Sequence, residues 1–356
     1  MAAFKQCKTC GVPLRIGKDH VWNSDGTICQ RQDRDHRMIL FDSEGIEALF
    51  TNIEQLIGIP IERIVVESKA RATAAYISHL LRGFRGPAAR VVGLERIVSK
   101  VVNQGRVMGY GDIEIVEVNW KAMVMKTQIR NPYSLKLFCG DMRGATEAIR
   151  KQEAKISFEE TEPDTFLVTT HHEPHAPELQ GRLMPKAPPS KPGNISYDLC
   201  PRCSLPLEIS QFKWDNGAGT IIHEATGVRY AIFGPAGLQA IFDELERELG
   251  ESIPEAIIEA QRIHASSRMG KQWKAMGGAD LKGWLKGWLA MQGMGNLVSL
   301  ETVEGGYTAR MENPAVPLVL LGTATALFEF RAGSKAELDW SLAEDGDLTF
   351  TLRAVS

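Results

Sequence analysis

Cys7-Lys8-Thr9-Cys10-Gly11-Val12-Pro13-Leu14 and, much later, Cys200-Pro201-Arg202-Cys203-Ser204-Leu205-Pro206-Leu207 are one motif written twice. Each opens on a C-x-x-C pair whose spacing lets both sulfurs point at one ion, and four such thiolates are what a tetrahedral metal site requires. Laid on the first copy at a constant offset, the second also matches Gly26-Thr27-Ile28 with Gly219-Thr220-Ile221. After a one-residue deletion the match continues through Arg37 and Arg229, Phe41 and Phe233, Gly58 and Gly250, and Glu67 and Glu259. Further on it pairs Asn131-Pro132 with Asn313-Pro314, Gly140 with Gly322 and Glu147 with Glu329. Matches spread this far in constant order predict a tandem duplication.

Within each copy the same elements are expected. Glycine-rich hairpins follow the knuckle, ending in an apolar word such as Arg37-Met38-Ile39-Leu40-Phe41, in the manner of a zinc ribbon. Ile46, Leu49, Phe50, Ile53 and Ile57 then recur at helical spacing, with Asp42 or Ser43 to cap the start and Gly58 to end the helix. Leu238, Ile241, Phe242, Leu245 and Leu249 repeat that stripe before Gly250. A longer helix is predicted from about Ile61 to Leu81 and from about Ile253 to Met276, and a third after Gly86-Pro87 and after Gly277-Gly278. Two alternating strands come next. Asn131-Pro132 and Asn313-Pro314 are each expected to open a further helix, because proline suits a first turn. A hairpin closes each copy. The predicted fold class is therefore α+β: two tandem repeats, each a ribbon-like hairpin region followed by helices packed on an antiparallel sheet. The first repeat covers 1–175, a Pro-rich linker 176–196, and the second repeat 197–356.

The 356 residues suffice for two cores, and 44% hydrophobic with 24% charged residues is a globular composition. A formal charge of -3 gives no basic field for a polyanion, so no nucleic-acid partner is expected. No apolar run is long enough to span a membrane. Met1 to Gln6 leads into Cys7 without the apolar core of a signal peptide, so the chain reads as cytoplasmic. In a reducing compartment six cysteines with paired C-x-x-C point to metal or redox chemistry rather than to a structural disulfide.

The helices followed by a strand pair, a helix beginning Asn131-Pro132-Tyr133 with Cys139-Gly140 and Gly144-Ala145, and a closing hairpin together resemble the 4-vinyl reductase small-molecule-binding domain and its haem nitric-oxide-binding-like relatives. The resemblance covers about Ile46 to Thr170 and Leu238 to Ala354. It implies a binding or accessory protein that holds a hydrocarbon-like or aromatic ligand between helices and sheet. Many members carry a cysteine cluster near the closing hairpin. This chain has Phe158 and Phe166 there and only Cys139 nearby, so no metal site is carried over to that end.

Each copy has one C-x-x-C pair. Alone, the first could recruit His20, Cys29 or His36, but the second has only His223 nearby, and Ile222 stands in place of Cys29. The simpler site is shared, with Cys7, Cys10, Cys200 and Cys203 around one structural zinc; iron also suits four thiolates. A complete thiolate shell has no open position, so the site is expected to stabilise rather than catalyse. His171-His172-Glu173-Pro174-His175 could bind metal but reads as the solvated start of the linker. Leu281 to Leu289 places Trp284 and Trp288 one turn apart, with Met291 and Met294 continuing the apolar side, as a ligand-pocket wall, a partner interface or core. Glu67 and Glu259 are expected to pair with Lys69, Arg71 or Arg262. No catalytic or nucleotide-binding motif is present. The function expected is that of a non-catalytic protein that binds a small apolar ligand. The alternatives are an assembly subunit docking on a larger enzyme complex, and a metal-dependent enzyme or reductase; an oligomer is left open.

Overall fold

The computed structural model describes residues 4–80, 94–119, 122, 124–174, 181–187, 189–276 and 280–355. The chain is a mixed α+β protein whose sheets are all antiparallel. The first half runs α1 (Leu14–Asp19), β1 (His20–Trp22), β2 (Ile28–Gln30), β3 (Asp33–Asp42), α2 (Ser43–Ile57), α3 (Glu62–Leu80) and α4 (Leu94–Val107). It continues through β4 (Asp112–Asn119), β5 (Val124–Arg130), α5 (Leu135–Arg150), β6 (Ala154–Glu162) and β7 (Thr165–His172). After a single 3₁₀ turn the second half runs β8 (Phe212–Asp215), β9 (Thr220–His223), β10 (Arg229–Phe233), α6 (Ala236–Leu249), α7 (Ile253–Met276) and α8 (Leu281–Met291). It ends with β11 (Asn296–Val303), β12 (Gly306–Glu312), α9 (Pro317–Ala332), β13 (Ala336–Leu342) and β14 (Leu348–Ala354).

Local signals account for these boundaries. Asp42 caps α2 by accepting a hydrogen bond from the Gly45 amide, and Gly58 ends the helix at φ 71°, a conformation without steric penalty for glycine. Asn131-Pro132 and Asn313-Pro314 do not open helices, contrary to the expectation. Both asparagines sit at φ 54°, in the left-handed region that asparagine tolerates. The helices begin later, α5 after its cap Ser134 and α9 at Pro317. The Asn-Pro words are therefore sharp corners between strand and helix.

Three strands from each half join in one six-stranded sheet, ordered β1-β2-β3-β10-β9-β8. At its centre β3 pairs antiparallel with β10, Leu40 opposite Ile232 and Ile39 opposite Phe233. The period-2 alternation divides these strands between two cores. Ile39, Phe41, Ala231 and Phe233 enter the main helical core, whereas Met38, Leu40, Tyr230 and Ile232 enter a second core that includes Cys7, Cys10 and Cys200. That double burial is why residues 38–41 and 230–233 are apolar at every position. The other two sheets have matching orders, β4-β5-β7-β6 and β11-β12-β14-β13.

The packing crosses between the halves. Helix α2 packs on α7 and α3 packs on α6, so each half lends its ribbon and first long helix to the remainder of the other. The Asn52 side chain donates to the Ala260 carbonyl at 2.9 Å, and Ser68 donates to the Gly237 carbonyl at 2.8 Å. Trp22 donates to the Met291 carbonyl at 2.8 Å while Trp214 donates to that of Val107 at 2.9 Å. Arg37 reaches the Asn313 carbonyl at 2.7 Å, and Arg229 that of Asn131 at 2.8 Å. One continuous core results, with residues such as Phe50, Phe138, Phe242 and Leu321 in it. The stretch 176–196 joins the halves in sequence, and its described part is anchored. Ile195 donates its amide to the Ser24 carbonyl at 2.7 Å, and the Lys191 ammonium lies between Asp345 at 2.7 Å and Asp347 at 2.6 Å.

Candidate metal centre and candidate ligand cavity

The two knuckles meet. Cys7 Sγ lies 3.7 Å from Cys200 Sγ, and Cys10 Sγ lies 3.4 Å from Cys203 Sγ. All four sulfurs fall within 4.8 Å of one another. A tetrahedron with metal–sulfur bonds of about 2.3 Å has edges of about 3.8 Å, so the donor set fits one ion. The local fold builds each corner the same way. The Cys7 amide donates to the Val12 carbonyl and the Gly11 amide to that of Cys7; the Cys200 amide donates to Leu205 and the Ser204 amide to Cys200. Gly11 turns at φ 75° and Ser204 at φ 58°, which lets the chain double back beneath its sulfurs. Cys7 and Cys200 are almost fully buried.

The electrostatics favour thiolates at one position of each knuckle. Cys7 is pulled down to about 6, first by the backbone N–H of Cys10, and Cys200 is lowered, first by that of Arg202. Cys10 and Cys203 are raised, first by burial. A bound divalent cation supplies the charge that keeps all four ionised. His20, Cys29, His36 and His223 stand outside the group, which is the only metal-competent cluster among the described residues.

A cavity of about 780 Å³ opens beside the central sheet. Its walls come from α3, α4, α5, the ribbon of the first half, Pro185, Ala187 and Pro189, and, from the second half, the start of α6, Asn313, Pro314 and Leu342. Apolar groups such as Val101, Met108, Phe138 and Met142 supply most of the lining surface, charged groups such as Arg15, Asp33 and Lys100 also face it, and at the deep end lies a buried polar cluster. Tyr133 donates to Asp141 Oδ2 at 2.7 Å, Thr73 donates to Asp141 Oδ1 at 2.7 Å, and the Lys69 ammonium is 3.3 Å from that same oxygen. Tyr110 stacks on Tyr133 with ring centres 4.2 Å apart. Burial, first of all, raises both phenols well above their ordinary range, so they remain protonated donors. Close helix packing fixes the cluster: a Cβ at Gly140 would lie 2.5 Å from Lys69 Cβ, and one at Gly144 would lie 2.1 Å from the Ala70 carbonyl oxygen.

The corresponding crossing of α7 and α9 has a different polar pair. A Cβ at Gly322 would meet Gln261, whose side chain donates to Thr323 at 3.0 Å. No charge is buried in that pair. The motif matching above already contains this difference, since Gln261 and Thr323 stand where Lys69 and Asp141 do. The sequence offers Lys69 only as a partner for Glu67, whereas it pairs with Asp141, a residue that the sequence does not single out.

Trp284, Trp288, Met291 and Met294, read as a pocket wall or interface, do not line the cavity. Met291 and Met294 are buried core residues, and Trp288 stacks on Trp284 and on Phe212, at 5.7 and 6.2 Å between ring centres. Trp284 and Trp288 are half-buried, Trp288 against the ribbon of the same half, while Met294 lies in the main helical core and Met291 in the second core. Glu67 pairs with Arg71 at 2.9 Å and Arg143 at 2.7 Å, and Glu259 with Arg262 at 2.6 Å. His171 faces Glu173 at 3.5 Å, and His172 bonds the Glu153 carbonyl at 2.8 Å; His175 lies outside the described residues. No helix among the described residues is long and apolar enough to cross a membrane. Compared with known proteins, the chain matches no family model, no curated protein and no solved structure.

Proposed function

We propose that this is a non-catalytic binding or accessory protein: a tandem duplication stapled by one structural zinc ion and carrying a small, largely apolar ligand in the cavity that both halves line. The observation that carries this reading is the cavity of about 780 Å³, a volume suited to a small organic molecule, whose lining surface is mostly apolar, with a buried polar cluster at Lys69, Thr73 and Asp141 and further charged groups such as Arg15, Asp33 and Lys100 along its walls. The zinc assignment rests on four thiols, three buried and Cys203 half-buried, with tetrahedral spacing and no open coordination position, a donor set that selects a structural ion. The duplication is supported by the equal order of elements in the two halves and by the matching orders of their sheets. Helices over a strand pair, a further helix and a closing hairpin also agree with the 4-vinyl reductase-like resemblance and its apolar ligands.

The test uses an apolar fluorescent probe, N-phenylnaphthylamine, titrated into the zinc-loaded full chain. Saturable binding at one site per chain is expected, abolished when Val101→Trp fills the wall. Linear, non-saturable fluorescence in both proteins would sink the reading.

A further inference from the structure

We propose that the deep end of the cavity is a head-group site that selects an apolar ligand bearing an uncharged carbonyl oxygen, with Lys69 as the hydrogen-bond donor. The inference rests on the ligand-binding reading above and adds the class of ligand. It follows from counting donors and acceptors. Three of the roughly four acceptor positions of Asp141 are filled: Oδ1 receives Thr73 and Lys69, and Oδ2 receives Tyr133. The Lys69 ammonium has three N–H donors, and Asp141 occupies one of them while the Phe233 ring lies 5.6 Å away. Both side chains are largely shielded from water, with 7% of Lys69 and 13% of Asp141 exposed. The site therefore has more donors than acceptors to spare.

Charge then decides between acceptors. Lys69 and Asp141 neutralise each other, so a carboxylate beside them would add an uncompensated buried negative charge about as close to Asp141 as to its donor. A hydrocarbon would displace water from Lys69 and return no hydrogen bond. A ketone, ester or quinone oxygen satisfies the ammonium without adding charge. Beyond it the Tyr110 ring, backed by the stacked Tyr133, and the Phe138 and Met142 side chains receive the apolar body. The neutral Gln261–Thr323 pair at the other helix crossing lacks this donor surplus, which assigns the head-group site to the first half.

Three probes of similar skeleton test the inference by calorimetry on the zinc-loaded full chain: benzophenone, diphenylmethane and diphenylacetate. Benzophenone is expected to bind about tenfold tighter than diphenylmethane, as one hydrogen bond to a charged donor provides. Diphenylacetate is expected to bind weakest. Lys69→Met should equalise benzophenone and diphenylmethane. Because that change leaves Asp141 buried and unpaired, the double variant Lys69→Met with Asp141→Asn, which removes both charges, should show the same equalisation in a folded protein. Equal binding of benzophenone and diphenylmethane to the unaltered protein, or tightest binding of diphenylacetate, would overturn the head-group inference and leave the cavity reading standing. Failure of all three probes together with N-phenylnaphthylamine would overturn both.

Discussion

Replacing Cys200 by Ser should loosen both ends of the first half's contact with the second, because the account treats the four thiolates as one staple. A metal bridge between Cys7 and Cys200 closes a loop of 193 residues. By chain-closure entropy a link of that span is worth about 5 kcal/mol, a large share of an ordinary domain's stability. Unfolding entropy of about 2.1 cal/mol/K per residue gives roughly 0.75 kcal/mol/K for this chain, so the midpoint should fall by about 7 °C. Scanning calorimetry of the zinc-loaded protein reads this directly. Cys29→Ser is the control, since Cys29 is buried beside Thr27 and is no part of the thiolate group. Hydrogen exchange supplies the second readout: amides of both knuckles, Gly11 and Ser204 included, should lose protection together. Loss confined to the second knuckle, or a midpoint unchanged from the Cys29→Ser protein, would refute the shared staple.

Further expectations follow from the packing. Gly144→Ala should destabilise by about 1–3 kcal/mol, at the upper end, because the new Cβ meets backbone at 2.1 Å and no side chain can move aside; denaturant unfolding measures it. Arg229→Met should cost more than Arg37→Met in the same assay, since Arg229 serves the Asn131 side chain and the Gly109, Asn131 and Pro132 carbonyls, whereas Arg37 serves only the Asn313 carbonyl. Burial pushes the His36 imidazole down to about 4, so the unfolded chain binds the proton more readily between its ordinary value near 6.5 and that value. Stability is therefore fully present above pH 6.5 and declines as the pH falls toward 4; His36→Gln should flatten part of that decline in pH-dependent denaturant melts.

Much of this fold is legible in the residues, and the limits have physical causes. Asp42, Gly58 and Gly250 mark helix ends because capping is local chemistry, and the caps stand where the sequence predicts. The C-x-x-C pairs bring their own geometry, so the four-thiolate cluster was readable across nearly two hundred residues. Asn131 and Asn313 misled because the proline was read as a first helical turn, whereas the asparagine before it takes the left-handed corner. The exchange of α2 and α6 between halves has no periodic signal. It depends on which way the chain leaves Gly58 and Gly250, and an amphipathic stripe states that a helix buries one face without naming its partner. Trp284 and Trp288 could not be assigned for the same reason, as an aromatic pair at helical spacing suits a core and a pocket equally. Lys69 and Asp141 lie on different helices, and only the contrast with Gln261 and Thr323 in otherwise matching surroundings could have drawn attention to the pair.

The central claim, one metal ion held jointly by the two halves, is tested most directly by counting metal in a native mass spectrum of the full chain and of its Cys7→Ser and Cys200→Ser variants. The account predicts a single zinc ion per unaltered chain and its loss or marked weakening in both variants alike. Two ions per chain, none, or a single ion that survives either substitution unchanged would contradict it.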